Sequence, residues 1–439
     1  MKKTLTVLLV LILCLTLLAG CTISGPAPAG QQQPSGQSEA NTPKKPVEIT
    51  VVTSYGGDDG NRKNYENAVR AYEQTSGNIV KDASGTSNEE WKARIMADFE
   101  TGSEPDVLFF FTGIDANKLI EGGKVVPIDE IRSVYPDYAS NMKDDLIANS
   151  PVDGKKYAVP VNGYWEGLFV NKKVLADCGV AVPGADYTWE QFLKDCETIK
   201  NKGYTPIACS LQEVPHYWFE FTVFNHTSLA THLNIPASSS DETGKAWVAG
   251  LNDIKSLYEK GYFPANTITA GDAETFQMMA DNKAAFAIDG SWKNGWFQEH
   301  AADINDFTVT YVPGKNNRKA TDIIGGLSMG YYITRKAWNN PEKQKACVDF
   351  VKAMTSDEVV STFGATAVTA LKNGTTPPQD ADALVTAALA MTKGATGVVG
   401  ATQDGLTQTA RTALFADIKN IVTSKITAES AIDNSLATK

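Results

Sequence analysis

Gly326-Leu-Ser-Met-Gly330 carries the lettering of a nucleophile elbow, in which a serine on a strand-to-helix turn attacks an acyl carbon. That chemistry needs a helix after the serine and a histidine later in the chain. Tyr331-Tyr-Ile-Thr334 reads as strand, and the last histidine is His300, so acyl transfer is not expected. The four histidines, His216, His226, His232 and His300, do not form a metal pattern. His226 and His232 are too far apart to share one helix face, where i, i+4 spacing is needed. No phosphate-binding loop, dinucleotide fingerprint or HExxH occurs. Glycoside hydrolysis would need two carboxylates about 5–10 Å apart across a sugar, and no local pattern fixes such a pair. Asp58, Asp59, Glu166 and Asp289 read instead as acceptors for ligand hydroxyls or water. No catalytic residue, metal or cofactor is expected.

The positive signal is the placement of aromatic residues just after strand-like runs. Tyr55 follows the first run, and Phe110 and Phe111 end another. Tyr164 and Trp165 sit between two more, and His216-Tyr-Trp-Phe219 and Ser291-Trp292 follow others. In open α/β sheets, ligands bind outside the carboxyl ends of strands. Aromatic faces beside short polar groups suit a sugar, with its apolar C–H faces and rim of hydroxyls. For any single ring the rival reading is core packing. Trp292 is the sharpest case: Gly290 allows a tight bend after the strand Ala284–Asp289, so the ring can project into a cleft. Gly325 and Gly326 let backbone approach something closely, and Gly326 and Ser328 join the ligand-binding candidates. These loops contain Arg62 and few other cations, which disfavours a phosphate or carboxylate ligand.

The elements that must hold these residues alternate. Val47–Thr53 is β-branched and strand-like. Tyr65, Ala68, Val69 and Tyr72 recur at helical spacing. Asn78-Ile-Val starts a second strand, and Ser87-Asn-Glu-Glu90 reads as a capping box for a helix carrying Trp91, Ile95 and Phe99. Pro105–Phe111 is a continuous apolar run, as expected for a strand covered on both faces. Further strands read at 157–160, 168–170, 204–209, 284–289 and 307–312, with a Gly-interrupted strand region at 323–334. Thr188-Trp-Glu-Gln191 is a second capping box, and Thr355-Ser-Asp-Glu358 starts another helix. Beyond about Asp380 the chain reads as mostly helical. Strands alternating with helices imply parallel, helix-covered sheets.

The first residues place the protein in the cell. MKKTLTVLLVLILCLTLLAGC has two lysines, an uncharged apolar run and small residues before Cys21. The run is shorter than the ~20 residues of a membrane span, so residues 1–20 read as a signal peptide. Leu18-Ala-Gly-Cys21 looks like a bacterial lipobox, with Cys21 diacylated and its two chains giving stable anchoring. Residues 22–46 lack aromatics and are rich in Pro, Gly, Ser and Gln, a flexible tether with a reach of roughly 25–30 Å. The expected location is therefore the extracytoplasmic face of the cell membrane, with the lipid as the only membrane contact. The formal charge of −11 becomes more negative once Lys2 and Lys3 leave, which argues against nucleic acid. Of six cysteines, Cys178, Cys196, Cys209 and Cys347 remain in the body. They read as free buried thiols, with a Cys178–Cys196 bridge as the alternative.

An ordered series of short motifs then emerges: Glu104-Pro-Asp-Val107, Gly123-Lys-Val-Val-Pro-Ile-Asp129, Asp153-Gly-Lys-Lys-Tyr-Ala-Val-Pro160 and Leu168-Phe-Val-Asn-Lys-Lys-Val-Leu175. It continues with Tyr187-Thr-Trp-Glu-Gln-Phe192, Gly203-Tyr-Thr-Pro-Ile-Ala208, Lys283-Ala-Ala-Phe-Ala-Ile-Asp-Gly-Ser-Trp292 and Phe350-Val-Lys-Ala-Met-Thr-Ser356. Over residues 47–365 the chain resembles family 1 extracellular solute-binding proteins, the sugar-capture lipoproteins of bacterial ABC importers related to maltose-binding protein. The resemblance implies an α/β periplasmic-binding-protein-like fold of two lobes, each a mostly parallel sheet covered by helices, joined by a hinge of crossing strands. The crossings fall near 159–161, 311–314 and 355–358. That assigns residues 47–159 plus 312–357 to an N-terminal lobe and 160–311 plus 358–439 to a C-terminal lobe. It further implies ligand contacts from Phe110 or Phe111, from Asn162, Tyr164 and Trp165, from Glu213, His216 and Tyr217, and from Trp292; Tyr55 and Asp58 complete the candidate set. The implied partners are a sugar or oligosaccharide and the permease subunits of an importer, with the protein a monomer. The rival classes are a secreted glycoside hydrolase and a binder of polyol or glycerophosphodiester.

Overall fold

Apolar runs bounded by turn residues become ten strands in the computed structural model, which describes residues 45–316, 318–364, 366–376 and 379–438. The signal segment, Cys21 and the tether through residue 44 lie outside the described residues. The strands are β1 (Glu48–Val52), β2 (Ile79–Asp82), β3 (Val107–Phe111), β4 (Tyr164–Asn171) and β5 (Thr205–Ile207). They continue as β6 (Ala284–Gly290), β7 (Phe307–Thr310), β8 (Asp322–Gly326), β9 (Met329–Ile333) and β10 (Gly397–Val399).

The first sheet runs β2-β1-β3-β9, parallel except for β9. Side chains alternate across a strand, so β1 and β3 feed two cores. Ile49, Val51, Val107 and Phe109 pack with Tyr65 and Tyr72 of the helix Arg62–Ser76 and with Phe350 and Val351 of the helix Pro341–Met354. Val52, Leu108 and Phe110 pack on the other side with Trp91, Ile95 and Phe99 of the helix Glu89–Glu100. The unbroken apolar run of β3 is thus buried on both faces. The helix begins one residue later than the capping-box reading places it. Asn88, not Ser87, is its cap, and Asn88 Oδ1 accepts from the Trp91 N–H at 2.8 Å.

The second sheet is mixed rather than mostly parallel. β4 runs antiparallel to β6 on one edge and to β7 and β8 on the other, while β5 is parallel to β6 and β10 is parallel to β8. β4 also alternates. Leu168 and Val170 join Phe192, Trp218 and Phe286 on one face, and Trp165 and Phe169 join Phe276, Phe297 and Phe307 on the other.

The strand pairings locate the passages between sheets. Val159 pairs with Tyr331 of the first sheet and β4 begins at Tyr164, so the first passage is residues 160–163. The strand expected at 157–160 reduces to this single bridge. The second passage comes later than residues 311–314, because β8 pairs with β4 and only β9 joins β3. The third also comes later than residues 355–358. Val360, Phe363, Ala370 and Leu371 still pack in the first core, whereas Leu384 and Ala388 belong to the second. The C-terminal region adds β10 to its helices. Cys178, Cys196, Cys209 and Cys347 are free and buried, so no Cys178–Cys196 bridge forms. Among the described residues no helix is long and apolar enough to cross a membrane.

Candidate functional site

Three rings stand together where β4 begins and β6 ends. Trp292, two residues past β6, is half-buried, with its ring centre 6.3 Å from that of Tyr164 and 6.2 Å from that of Tyr217. Tyr164 opens β4, and Tyr217 lies in the first turn of the helix His216–Phe224. Trp292 is fixed by a hydrogen bond from its Nε1 to Asp289 Oδ1 at 2.7 Å. Its six-membered ring lies on Gly290, where any Cβ would run into it. The role of Gly290 is this close approach, not a sharp bend. His216 extends the platform, 4.0 Å from Tyr217 and stacked on Phe415 at 5.7 Å between ring centres.

Polar groups surround the rings. Lys293 Nζ sits 2.9 Å from Asp272 and 3.5 Å from Asp289. Burial pushes the Asp289 carboxyl up to about 6, against the pull of Lys293. Burial likewise lifts Asp59 to about 7. Deeper, Glu166 of β4 neighbours Glu220 of the His216–Phe224 helix, and Gln403 Nε2 donates to Glu220 Oε1. Burial, then the charge of Glu220, raises Glu166 well above the usual carboxylate range. Burial lifts Glu220 to about 8. The charges of Glu166 and Glu220 both act on the phenols of Tyr164 and Tyr217, which puts the acids beside the rings.

Loops from the first sheet close over this platform. Gly60, past β1, meets the start of the helix Lys293–His300 backbone to backbone; a Cβ at Gly60 would strike Trp292 O, and one at Gly295 would strike Gly60 O. On the far side, Arg411 of the helix Gln408–Val422 reaches Glu89 at 2.9 Å and Asp115 at 2.8 Å. Lys92 joins the same two acids at 3.1 and 3.0 Å and lies 3.9 Å from the centre of the Phe111 ring. Burial works against the Asp115 charge, but Lys92 and Arg411 outweigh it and hold the carboxyl below its usual range. Burial, with the same two cations nearby, drives His216 down to about 3, so its imidazole is neutral at pH 7.

The predicted residues divide. Tyr164, His216, Tyr217 and Trp292 come together, and Phe111 lies under Lys92 on the opposite wall. Phe110 does not reach the site: it is buried against Trp91, deeper in the core on whose edge Phe111 packs, with the two rings edge-on at 5.8 Å. Alternation along β4 turns Trp165 away from Tyr164 into the other core, where its Nε1 donates to Thr366 Oγ1 at 3.0 Å. Tyr55 is a core residue among Tyr65, Phe109 and Phe363. Glu213 is exposed and accepts from the Asp272 N–H, tying down the helix Asp272–Ala280. Asn162 bonds Phe363 O and Gly163 O within the first passage. Asp58 points to solvent while its neighbour Asp59 feels Lys293 and Asp289. Gly326 pairs with Tyr164 at φ 153°, a backbone reserved for glycine. Ser328 O accepts from Thr112 N at 2.7 Å, and strand β9 follows, so Ser328 is no nucleophile elbow.

Sequence reasoning missed Glu220, Gln403, Asp404, Arg411 and Lys92. Two carried a readable signal. Glu220 is the one charged residue of the helix HYWFEFTVF, and Arg411 is the single arginine after Arg335.

With fold and site in view, comparisons define the class. Residues 59–361 match the family model described as bacterial extracellular solute-binding protein, and the chain belongs to that family. The melibiose/raffinose/stachyose-binding protein MelE of Bacillus subtilis is 27% identical over 247 residues, 50% of this chain and 54% of MelE. The multiple sugar-binding protein of Streptococcus mutans is 25% identical over 233 residues, 52% of this chain and 53% of that protein. The chain thus spans about half the length of the curated relatives it matches. Among solved structures, a chitin oligosaccharide binding protein superposes with a TM-score of 0.77 at 21% identity, covering 90% of this chain and 98% of that one. The raffinose complex of RafE gives 0.68 at 18% identity, covering 89% and 98%. The fold is therefore the two-lobe periplasmic-binding-protein-like one, and the family is one of extracytoplasmic binding proteins.

Proposed function

We propose that this protein is a lipid-anchored receptor that captures a sugar or oligosaccharide between its lobes and delivers it to the permease subunits of an ABC importer. The Tyr164–Trp292–Tyr217 platform, with Asp289 holding the central ring, carries the reading. Aromatic faces stack on sugar C–H faces, and the carboxyls beside them suit the hydroxyl rim. The protein works as a monomer and as a binder, not an enzyme. In this reading the lobes meet along residues 160–163, the turn between β8 and β9, and a third passage after Leu371, and they close by hinge motion.

A thermal-shift screen tests the binding role. The panel begins with melibiose, raffinose, stachyose and chitin oligosaccharides, the ligands named for the relatives. A true ligand raises the melting temperature as RT ln(1 + [L]/Kd), about 2.7 kcal/mol at a hundredfold excess over Kd. Chromatography of the incubated sugar should recover it intact; cleavage products would make the protein a glycoside hydrolase. Cys21→Ala should abolish incorporation of labelled fatty acid, and equal labelling of both proteins would refute the anchor.

A further inference from the structure

We propose that the sugar taken by this cleft carries a protonated primary amine, seated on Glu166, Glu220 and Gln403 beneath the ring platform. The inference rests on the sugar-receptor reading and names the ligand class of the same site.

The charge inventory is lopsided. Three cations line the site, and each is already engaged: Lys92 and Arg411 with Glu89 and Asp115, and Lys293 with Asp272 and Asp289. Glu166 and Glu220 have no cationic partner among the described residues, whereas Asp404 feels the charges of Lys92 and Arg411. Asp404 sits in the same short turn as Gln403, and its charge is felt by both Glu166 and Glu220.

Hydrogen bonding makes a second, independent demand. Among the described residues Glu166 Oε2 and Glu220 Oε2 have no partner but each other's carboxyl, and Gln403 Oε1 is a buried acceptor without a donor. Their residues are 3%, 0% and 4% exposed. Gln403 is neutral, and its amide is already turned onto the cluster by the bond from Nε2 to Glu220. A lone acceptor in such a place costs the desolvation of that group. An ammonium supplies three N–H donors and one positive charge, whereas a hydroxyl or an acetamido group supplies one donor and no charge. The adjacent Tyr164, Tyr217 and Trp292 faces attract a cation as well as a sugar ring. A metal ion is the other candidate cation, but no three His, Cys, Asp or Glu side chains among the described residues converge to hold one.

The test is calorimetric titration of the detergent-solubilised full chain with the free-amine glucosamine disaccharide, its di-N-acetylated counterpart and raffinose. The amine form should bind about tenfold tighter than the acetylated form, since hydrogen bonds from a charged donor are roughly twice as strong as neutral ones. Glu220→Gln should reduce that ratio about tenfold, and Glu166→Gln provides the same readout if the first variant fails to fold. Equal or weaker binding of the amine form overturns the proposal. Binding of either neutral sugar in that case leaves the receptor reading standing, and silence from all three sugars counts against both.

Discussion

Trp292 carries the most weight of any single side chain at the site. It belongs to none of the buried clusters, unlike Trp296 four residues on, which packs in the second core. Truncation should therefore remove ligand contact rather than core volume. Trp292→Ala is expected to cost about 2 kcal/mol of binding, roughly thirtyfold in Kd, with a nearly unchanged melting curve; the opposite pattern would assign the ring to the core. Glu220 gives a second handle. Its carboxyl is raised from the 4.5 of a free glutamate to about 8, so between those values the native state binds more protons than the unfolded state. Stability from this group is then lost as pH rises. His216 and His232, both lowered to about 3 by burial, act in the other sense. They are neutral in both states above about pH 7.5, well past the ~6.5 of an unperturbed histidine, and add no slope there. The ligand-free melting temperature should fall from pH 7 to 8, and Glu220→Gln should flatten the fall. An equally steep profile in the variant would remove Glu220 from the account.

Among the elements, the helix Glu89–Glu100 has the most to answer for. Its first turn presents Glu89 to Arg411 and Lys92 to Asp115, and its other face buries Trp91, Ile95 and Phe99. Asn88 fixes where it starts by accepting from Trp91 N–H. Asn88→Ala should cost about 1 kcal/mol of stability, the usual value of a lost cap, seen as a lower denaturation midpoint. Sugar affinity should also weaken, because the frayed turn holds Glu89 and Lys92, which pair with Arg411 and Asp115; a midpoint shift with unchanged affinity would limit Asn88 to a structural role. The apolar spacing that identifies this helix was legible in the sequence. Its start was not, because Ser87 and Asn88 are both good caps and only the backbone entering the turn chooses between them.

At the scale of the whole molecule, the contacts among the described residues that close one lobe on the other include Gly60 on Gly295, Arg411 with Glu89 and Asp115, and Gln408 Nε2 donating to Glu89 O. Arg411 is 1% exposed. Its removal leaves the buried Asp115 carboxyl and the part-buried Glu89 with Lys92 as their shared cation, so the closed arrangement loses charge compensation that an open one, with water at the acids, does not need. Arg411→Met should show a larger radius of gyration than the parent in solution scattering at saturating sugar. Superimposable curves would mean that closure does not depend on this bridge.

The sequence by itself determined the local elements and much of the chemistry on offer. The apolar run of β3, the cap at Thr188, the free thiols and the ordered motifs of an extracellular solute-binding protein were all readable, because each depends on residues close along the chain. It also marked Tyr164, Tyr217 and Trp292 as rings at strand ends. Tertiary structure decided which rings meet. Trp165 and Tyr164 are neighbours in sequence that a strand sends to opposite faces, whereas Phe110 and Phe111 pack on one core and differ in depth; the order of strands alone tells which face looks into the cleft. It also brought together Glu166, Glu220 and Gln403, and set Arg411 against Glu89 and Asp115. These groups lie on separate strands, helices and turns spread from residue 89 to residue 411, so the charge balance of the site exists only once the chain has folded.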